Sequence, residues 1–196
     1  CEHVEHQVAD GQSTARGEFC QRNARTLQRL RHLSGSGVSA VVVLSVPAEN
    51  DSYNANPDSV RAALKALVTM SKAGDAPRRS WAVLGEMAEL GEESVIEHDA
   101  IGRLAVRLDV DRLVVVGTGR PSRAMHQGAV MEGSWGEESV LVPDIGAAIA
   151  LLGDAVEPGD VVLVKASQSV GLWAVAEHLT GDTRPDGRRG SAEAVR

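Results

Sequence analysis

From residue 38 onward, short apolar runs alternate with longer segments whose apolar residues recur at helical spacing. Val38–Val46 is a run of the buried type, rich in β-branched residues, and predicts a strand. A helix is predicted over Pro57–Lys72, with Val60, Leu64, Leu67 and Val68 along one face and Gly74 beyond its end. Trp81–Leu84 predicts a strand. Glu92–Leu108 predicts a helix with Val95, Ile101, Leu104, Ala105 and Leu108 turned inward, and Arg112–Val116 the next strand. The alternation continues with a helix over Ser122–Glu132, a strand over Ser139–Val142 and a helix over Ile145–Leu152 closed by Gly153. A strand over Val161–Val164 and a helix over Ser169–Leu179 complete it. The strands are apolar at successive positions rather than at every second one, so both of their faces are covered. The fold class that follows is α/β: a doubly wound, Rossmann-like, mainly parallel sheet with helices on both faces.

The two ends of the chain lack this pattern. Residues 1–37 scatter His, Gln, Arg and Glu and offer little apolar area to set against the entropy of ordering. One short helix is expected there, over Asn23–Leu33, carrying Leu27, Leu30 and Leu33. Ser34-Gly35-Ser36-Gly37 reads as a linker and sets the boundary. The expected organisation is therefore a poorly ordered or non-native segment over 1–37, a domain over 38–180 and a disordered polar tail over 181–196. The chain starts with Cys rather than Met and reads as a fragment of something longer.

Composition narrows the function classes. Aromatic residues make up only 3% of the chain and the formal net charge is −7, which disfavours both base stacking and a nucleic-acid backbone as partner. No apolar run approaches the roughly 20 residues of a membrane span, so no membrane insertion is expected. The first 30 residues lack the apolar core of a signal peptide. Cys1 and Cys20 write no disulfide framework. A reduced, cytoplasmic setting is the expectation.

The densest chemistry lies at Asn50–Ser59, N-D-S-Y-N-A-N-P-D-S, between the first strand and the first helix of the domain. Asn56 followed by Pro57 reads as a helix cap. Capping leaves Asp51, Tyr53 and Asn54 unaccounted for, and ligands of α/β sheets bind at such strand-to-helix junctions. The other junctions add Glu86 and Glu89, Thr118, Asp144, and Lys165 with Ser167. Together they suit a polar, phosphorylated or zwitterionic ligand: a carboxylate accepts from ribose hydroxyls, and an amide or ammonium reaches phosphate oxygens. Glu86 and Glu89 read equally as an acid–base pair or as a surface loop. Lys165 is unusual at a strand end, though pairing with Asp160 is an alternative. Gly117-Thr118-Gly119 is too short for a dinucleotide fingerprint and reads as a tight turn, and no phosphate-loop motif occurs. His98, near Glu93 and Glu97, reads as solvated; His126 and His178 lack partners at metal-ligand spacing.

Asp51-Ser52-Tyr53-Asn54-Ala55-Asn56-Pro57, then Leu84-Gly85-Glu86-Met87-Ala88-Glu89-Leu90-Gly91 with His98 after it, then Val164-Lys165-Ala166-Ser167, resemble the carboxyl-terminal domain of the Mur ligase family. The resemblance covers roughly 50–179 and is nearest to the branch that adds D-alanyl-D-alanine to UDP-N-acetylmuramoyl-tripeptide in peptidoglycan synthesis. It implies an ATP-dependent amide ligase. ATP phosphorylates the tripeptide carboxylate, and the amine of the dipeptide displaces phosphate from the acyl phosphate. In that family a first domain binds the UDP-sugar and a central domain holds the phosphate loop and Mg2+, while the third closes over the nucleotide. By this likeness Asp51 binds the ATP ribose, Tyr53 and Asn54 lie beside the nucleotide, and Lys165 and Ser167 face the acceptor substrate. No catalytic or metal-ligating residue is expected within this chain, and catalysis by it alone is not expected. A separate front-half polypeptide would then be a partner. The alternative is a non-catalytic nucleotide-binding or interaction module. Tyr53-Asn54-Ala55-Asn56-Pro57 speaks against a folylpolyglutamate synthase.

Overall fold

A computed structural model describes residues 30–31, 40–43, 55–73, 76–133 and 138–180. The strands are β1 (Leu30–Arg31), β2 (Ala40–Val43), β3 (Ser80–Leu84), β4 (Arg112–Val116), β5 (Ser139–Val142) and β6 (Val161–Lys165). The helices are α1 (Pro57–Ser71), α2 (Ser94–Arg107), α3 (Arg120–Glu132), α4 (Ile145–Ala155) and α5 (Trp173–Thr180). Three-residue 3-10 turns at Gly91–Glu93 and Gln168–Val170 precede α2 and α5.

The six strands form one sheet in the order β1-β2-β6-β3-β4-β5. All pairings are parallel except that of β1 with β2, where Leu30 stands opposite Val42. From β2 to β5 the chain travels one way across the sheet; from β5 it returns to insert β6 between β2 and β3. Crossovers of this kind are right-handed, so reversing the direction of travel moves the connecting helix to the other face. The packing follows that rule. Ala82, Leu84, Leu113, Val115, Val161 and Leu163 meet α1, α2 and α3 on one face. Trp81, Val83, Val114, Val116, Val162 and Val164 meet α4 and α5 on the other. Successive strand residues thus enter opposite cores, which is why the runs are apolar throughout.

The expected doubly wound fold is observed, with local departures. Gly153 does not close α4: it lies on the exposed side, a side chain there would meet nothing, and the helix runs on to Ala155 before Pro158. The single helix expected over Ser169–Leu179 is split, because Gly171 takes a left-handed φ of +73° between the 3-10 turn and α5. Val95 is exposed rather than inward-facing. Leu30–Arg31, expected to be helical, instead pairs with the outer edge of β2; the remainder of Asn23–Leu33 lies outside the described residues.

Carboxylates fasten the amino edge of the sheet. Asp160 is buried and accepts bonds from Arg79 Nε (2.9 Å) and Nη2 (2.7 Å), Trp81 Nε1 (2.9 Å) and the Glu157 N–H (2.9 Å). This partner raises the Arg79 pKa above its ordinary value. Asp111 takes the Ser80 N–H (2.7 Å) and hydroxyl (2.6 Å), joining the starts of β3 and β4.

Helices α2 and α3 touch backbone to backbone. A Cβ built on Gly102 would overlap the Met125 carbonyl oxygen, and one on Gly128 would overlap the Asp99 carbonyl oxygen. Gly102→Ala and Gly128→Ala should each cost about 1–3 kcal/mol of stability in urea unfolding, as overpacking does. Gly153→Ala, in open space, should add about 0.5–1 kcal/mol through helix propensity. Equal stability of Gly102→Ala and Gly153→Ala would contradict the close crossing.

Candidate functional site

Loops at the carboxyl edge of the sheet converge around β6. The helix after β6 lies on one face, whereas those after its neighbours β2 and β3 lie on the other. Chains leaving adjacent strands therefore diverge here, which makes this edge the topological switch point of the sheet. Lys165 ends β6, with Ala166 and Ser167 following; Gly85 to Ala88 follow β3; Gly117 to Gly119 follow β4.

The loops after β3 and β6 are tied to one another. Gly85 N–H donates to the Lys165 carbonyl (3.0 Å), and Ser167 N–H to the Glu86 carbonyl (3.0 Å). Ala88 N–H donates to the Ser167 hydroxyl oxygen at 2.7 Å. The backbones come so close that a Cβ on Gly85 would stand 2.8 Å from the Ala166 Cβ. Glycine is required there by space.

His98 holds the same turn from below. It is fully buried, contrary to the solvated surroundings expected from Glu93 and Glu97. Its Nδ1 bonds the Ser94 carbonyl at 2.6 Å, and its Nε2 accepts the Met87 N–H at 2.9 Å. Those roles require a neutral ring with the proton on Nδ1. Burial pushes the His98 pKa below its ordinary value, against smaller raising effects of the Ser94 bond, Glu86 and Glu97. One sequence signal was available: His98 lies on the stripe of Ile101 and Ala105, at helical spacing.

The other expected residues divide clearly. Lys165 is half-buried with no carboxylate at ion-pair distance among the described residues, and desolvation lowers its pKa. It does not pair with Asp160, which sits at the opposite end of β6, roughly 16 Å away along the strand, bound to Arg79. Ser167 is buried and its oxygen is engaged by Ala88. The Glu86 carboxylate reaches toward the next loop, 3.3 Å from where a Cβ on Gly119 would stand. Glu89 lies on an exposed turn with φ +64°. Thr118 is exposed. Asp144 caps α4 through the Ala147 N–H (2.8 Å). Asn56 caps α1 as expected: its Oδ1 accepts the Ser59 N–H (2.8 Å), Ser59 Oγ accepts the Asn56 N–H (3.2 Å), and Pro57 opens the helix. Asp51, Tyr53 and Asn54 lie outside the described residues.

Away from this rim, His126 Nδ1 bonds Ser139 Oγ at 2.9 Å, burial lowers its pKa, and His178 is exposed. Among the described residues, no group of three or more His, Cys, Asp or Glu is placed to hold a metal, and no helix is long and apolar enough to cross a membrane.

Comparison with known proteins decides the family. The model of the Mur ligase, glutamate ligase domain, matches residues 26–168. The chain belongs to the Mur ligase family. It is 64% identical over 141 residues to the UDP-N-acetylmuramoyl-tripeptide–D-alanyl-D-alanine ligase of Mycobacterium leprae, covering 68% of this chain and 27% of that protein. The Mycobacterium tuberculosis H37Rv ligase of the same name is 56% identical over 159 residues, covering 76% and 30%. The chain thus spans under a third of the length of these relatives. Among solved structures, the MurF ligase of Thermotoga maritima in complex with ADP matches with a TM-score of 0.55 at 25% identity, covering 80% of this chain and 30% of that one. MurF of Acinetobacter baumannii shares the fold, with a TM-score of 0.58 at 22% identity, covering 81% and 30%.

In this Mur ligase domain, His98 and His126 both bind protons less readily folded than unfolded. The unfolded chain, with histidine near 6.5, therefore takes up more protons. Their contribution to stability is complete above about pH 6.5 and is lost as pH falls through the lowered folded values. Urea unfolding at pH 7.5 and 5.0 should show lower stability at pH 5.0, and His98→Gln should shrink the difference. A wild-type difference untouched by His98→Gln would contradict the buried neutral ring.

Proposed function

We propose that this chain is the carboxyl-terminal domain of an ATP-dependent ligase that adds D-alanyl-D-alanine to UDP-N-acetylmuramoyl-tripeptide in the cytoplasm. The observation that carries the reading is the rim at the end of β6: a half-buried Lys165 ammonium, unpaired among the described residues, beside loops bonded into one unit. Relatives bearing that ligase name match this chain at 56–64% identity over about 68–76% of its length, and the Thermotoga maritima relative was solved with ADP.

In this reading Asp51 accepts the ribose hydroxyls, and Tyr53 and Asn54 lie beside the nucleotide. Their segment joins the end of β2 to the cap of α1, and β2 neighbours β6. Lys165 suits an anionic group, because an ammonium already partly stripped of water gains most from a charged partner. Ser167 retains a hydroxyl proton for an acceptor on the substrate while its oxygen serves Ala88. ATP, with Mg2+ held by the remainder of the enzyme, supplies the phosphoryl group that activates the tripeptide carboxylate. The domain's own part is to position the incoming amine and exclude water from an acyl phosphate that water would hydrolyse.

The test is reconstitution. The chain and a separately expressed front half, each alone and then mixed, are assayed for phosphate release with ATP, Mg2+, the UDP-linked tripeptide and D-alanyl-D-alanine. Activity only on mixing is expected, with Lys165→Ala lowering kcat/KM for the dipeptide about tenfold or more, the scale of a lost charged hydrogen bond. Nucleotide binding without activity in any mixture would favour a non-catalytic binding module instead.

A further inference from the structure

The turn after β3 is held more firmly than a connecting loop needs. Met87 N–H is taken by His98 Nε2 (2.9 Å), Ala88 N–H by Ser167 Oγ (2.7 Å), and the Glu86 carbonyl by Ser167 N–H (3.0 Å). The Met87 side chain is buried beneath the turn, and Gly85 is wedged against Ala166. The Glu86 carbonyl and the N–H groups of Gly85, Met87 and Ala88 are thus fixed by partners from α2, the end of β6 and the loop after it. The Glu86 side chain is not: among the described residues its half-buried carboxylate has neither a hydrogen-bond nor an ion-pair partner. It extends across the rim to Gly119, where the absence of a Cβ leaves it room. A carboxylate held by its backbone and left without a cation is arranged to receive one.

We propose that Glu86 receives the ammonium of the incoming amine and that His98 is the positioning residue that sets it there, through the Met87 N–H. This deepens the ligase reading above and rests on it. A dipeptide zwitterion carries one ammonium and one carboxylate. Glu86 and Lys165 are a carboxylate and an ammonium at the ends of β3 and β6, which are neighbouring strands. The ammonium is met by Glu86 and passes one proton through that carboxylate to solvent; the free amine then attacks the acyl carbon, and its second proton goes to the phosphate that leaves as the carbon–nitrogen bond forms. His98 touches no substrate. It acts by fixing the turn, and the imidazole does so only as an acceptor at Nε2.

Two substitutions of similar polarity separate positioning from bulk stability. The Gln oxygen in His98→Gln reaches the place of Nε2 and still accepts from Met87 N–H; the shorter Asn in His98→Asn reaches only the place of Nδ1. Both should lower the melting temperature. In the mixture of chain and front half, Glu86→Gln and His98→Asn should raise KM for D-alanyl-D-alanine about tenfold, the scale of a lost charged contact. His98→Gln should stay within about threefold, and KM for ATP should stay within about twofold in all three. Equal dipeptide KM values for His98→Asn and His98→Gln, or a shift in ATP rather than dipeptide, would overturn the proposal. An inactive wild-type mixture would instead overturn the ligase reading. In that case amide exchange on the chain alone still decides the clamp: His98→Asn should speed exchange at Met87 and Ala88 and His98→Gln should not, and equal rates would overturn it.

Discussion

The insertion of β6 between β2 and β3 is the constraint on which the rest depends. The last strand in sequence lies between two earlier ones, and its outgoing helix takes the face opposite the helices that follow them. That single placement buries Val161 to Val164 on both sides, sets α4 and α5 opposite the other helices, and brings Lys165 and Ser167 alongside the turn after β3. The hydrogen bonds from Gly85, Ala88 and Ser167 then turn two loops into one surface. Loops that each retained their own freedom would lose that entropy again on binding; loops already joined do not.

The two edges of the sheet divide the work. At the amino edge the charged groups are satisfied by the protein itself: Asp160 by Arg79 and Trp81, Asp111 by Ser80, Asp109 by Lys72. At the carboxyl edge, Lys165 and Glu86 stand without partners among the described residues, in a setting partly shielded from water. Unpaired half-buried charge is costly to the free domain, and a ligand of opposite charge recovers that cost on binding. Strength is concentrated where the sheet begins and chemistry where it ends, as the geometry of parallel sheets favours.

Much of this was legible because a parallel sheet writes itself as apolar runs bounded by breakers. The apolar runs Arg112–Val116 and Ser139–Val142 coincide with β4 and β5 residue for residue, each ended by a breaker, Gly117 or Pro143. Asn56-Pro57 was legible as a cap because only local geometry decides it. What escaped depended on long-range burial. His98 looks polar in sequence, yet it sits on the apolar stripe of its helix, where Ser94 of the same helix serves Nδ1 and only the folded turn above supplies a partner for Nε2. Pairing Lys165 with Asp160 failed on length: five strand residues carry them to opposite edges. Gly153 looked like a stop, but an exposed helical glycine weakens a helix without ending it. Glu86 was a candidate without a direction until Gly119 was placed beside it.

Ligand binding at the carboxyl edge around β6 is the step on which the proposed function stands. Mapping amide and side-chain NMR shifts of the chain during titration with ADP and Mg2+, and separately with D-alanyl-D-alanine, at millimolar concentration is the decisive measurement. Perturbations should concentrate at Asp51, Tyr53 and Asn54 with the nucleotide, and at Glu86, Thr118, Lys165 and Ser167 with the dipeptide. The open depression of about 280 Å3 at the amino edge, lined by Asp109, Asp111 and Glu138, should stay unperturbed. Shifts centred on that depression, with the β6 rim silent, would contradict it.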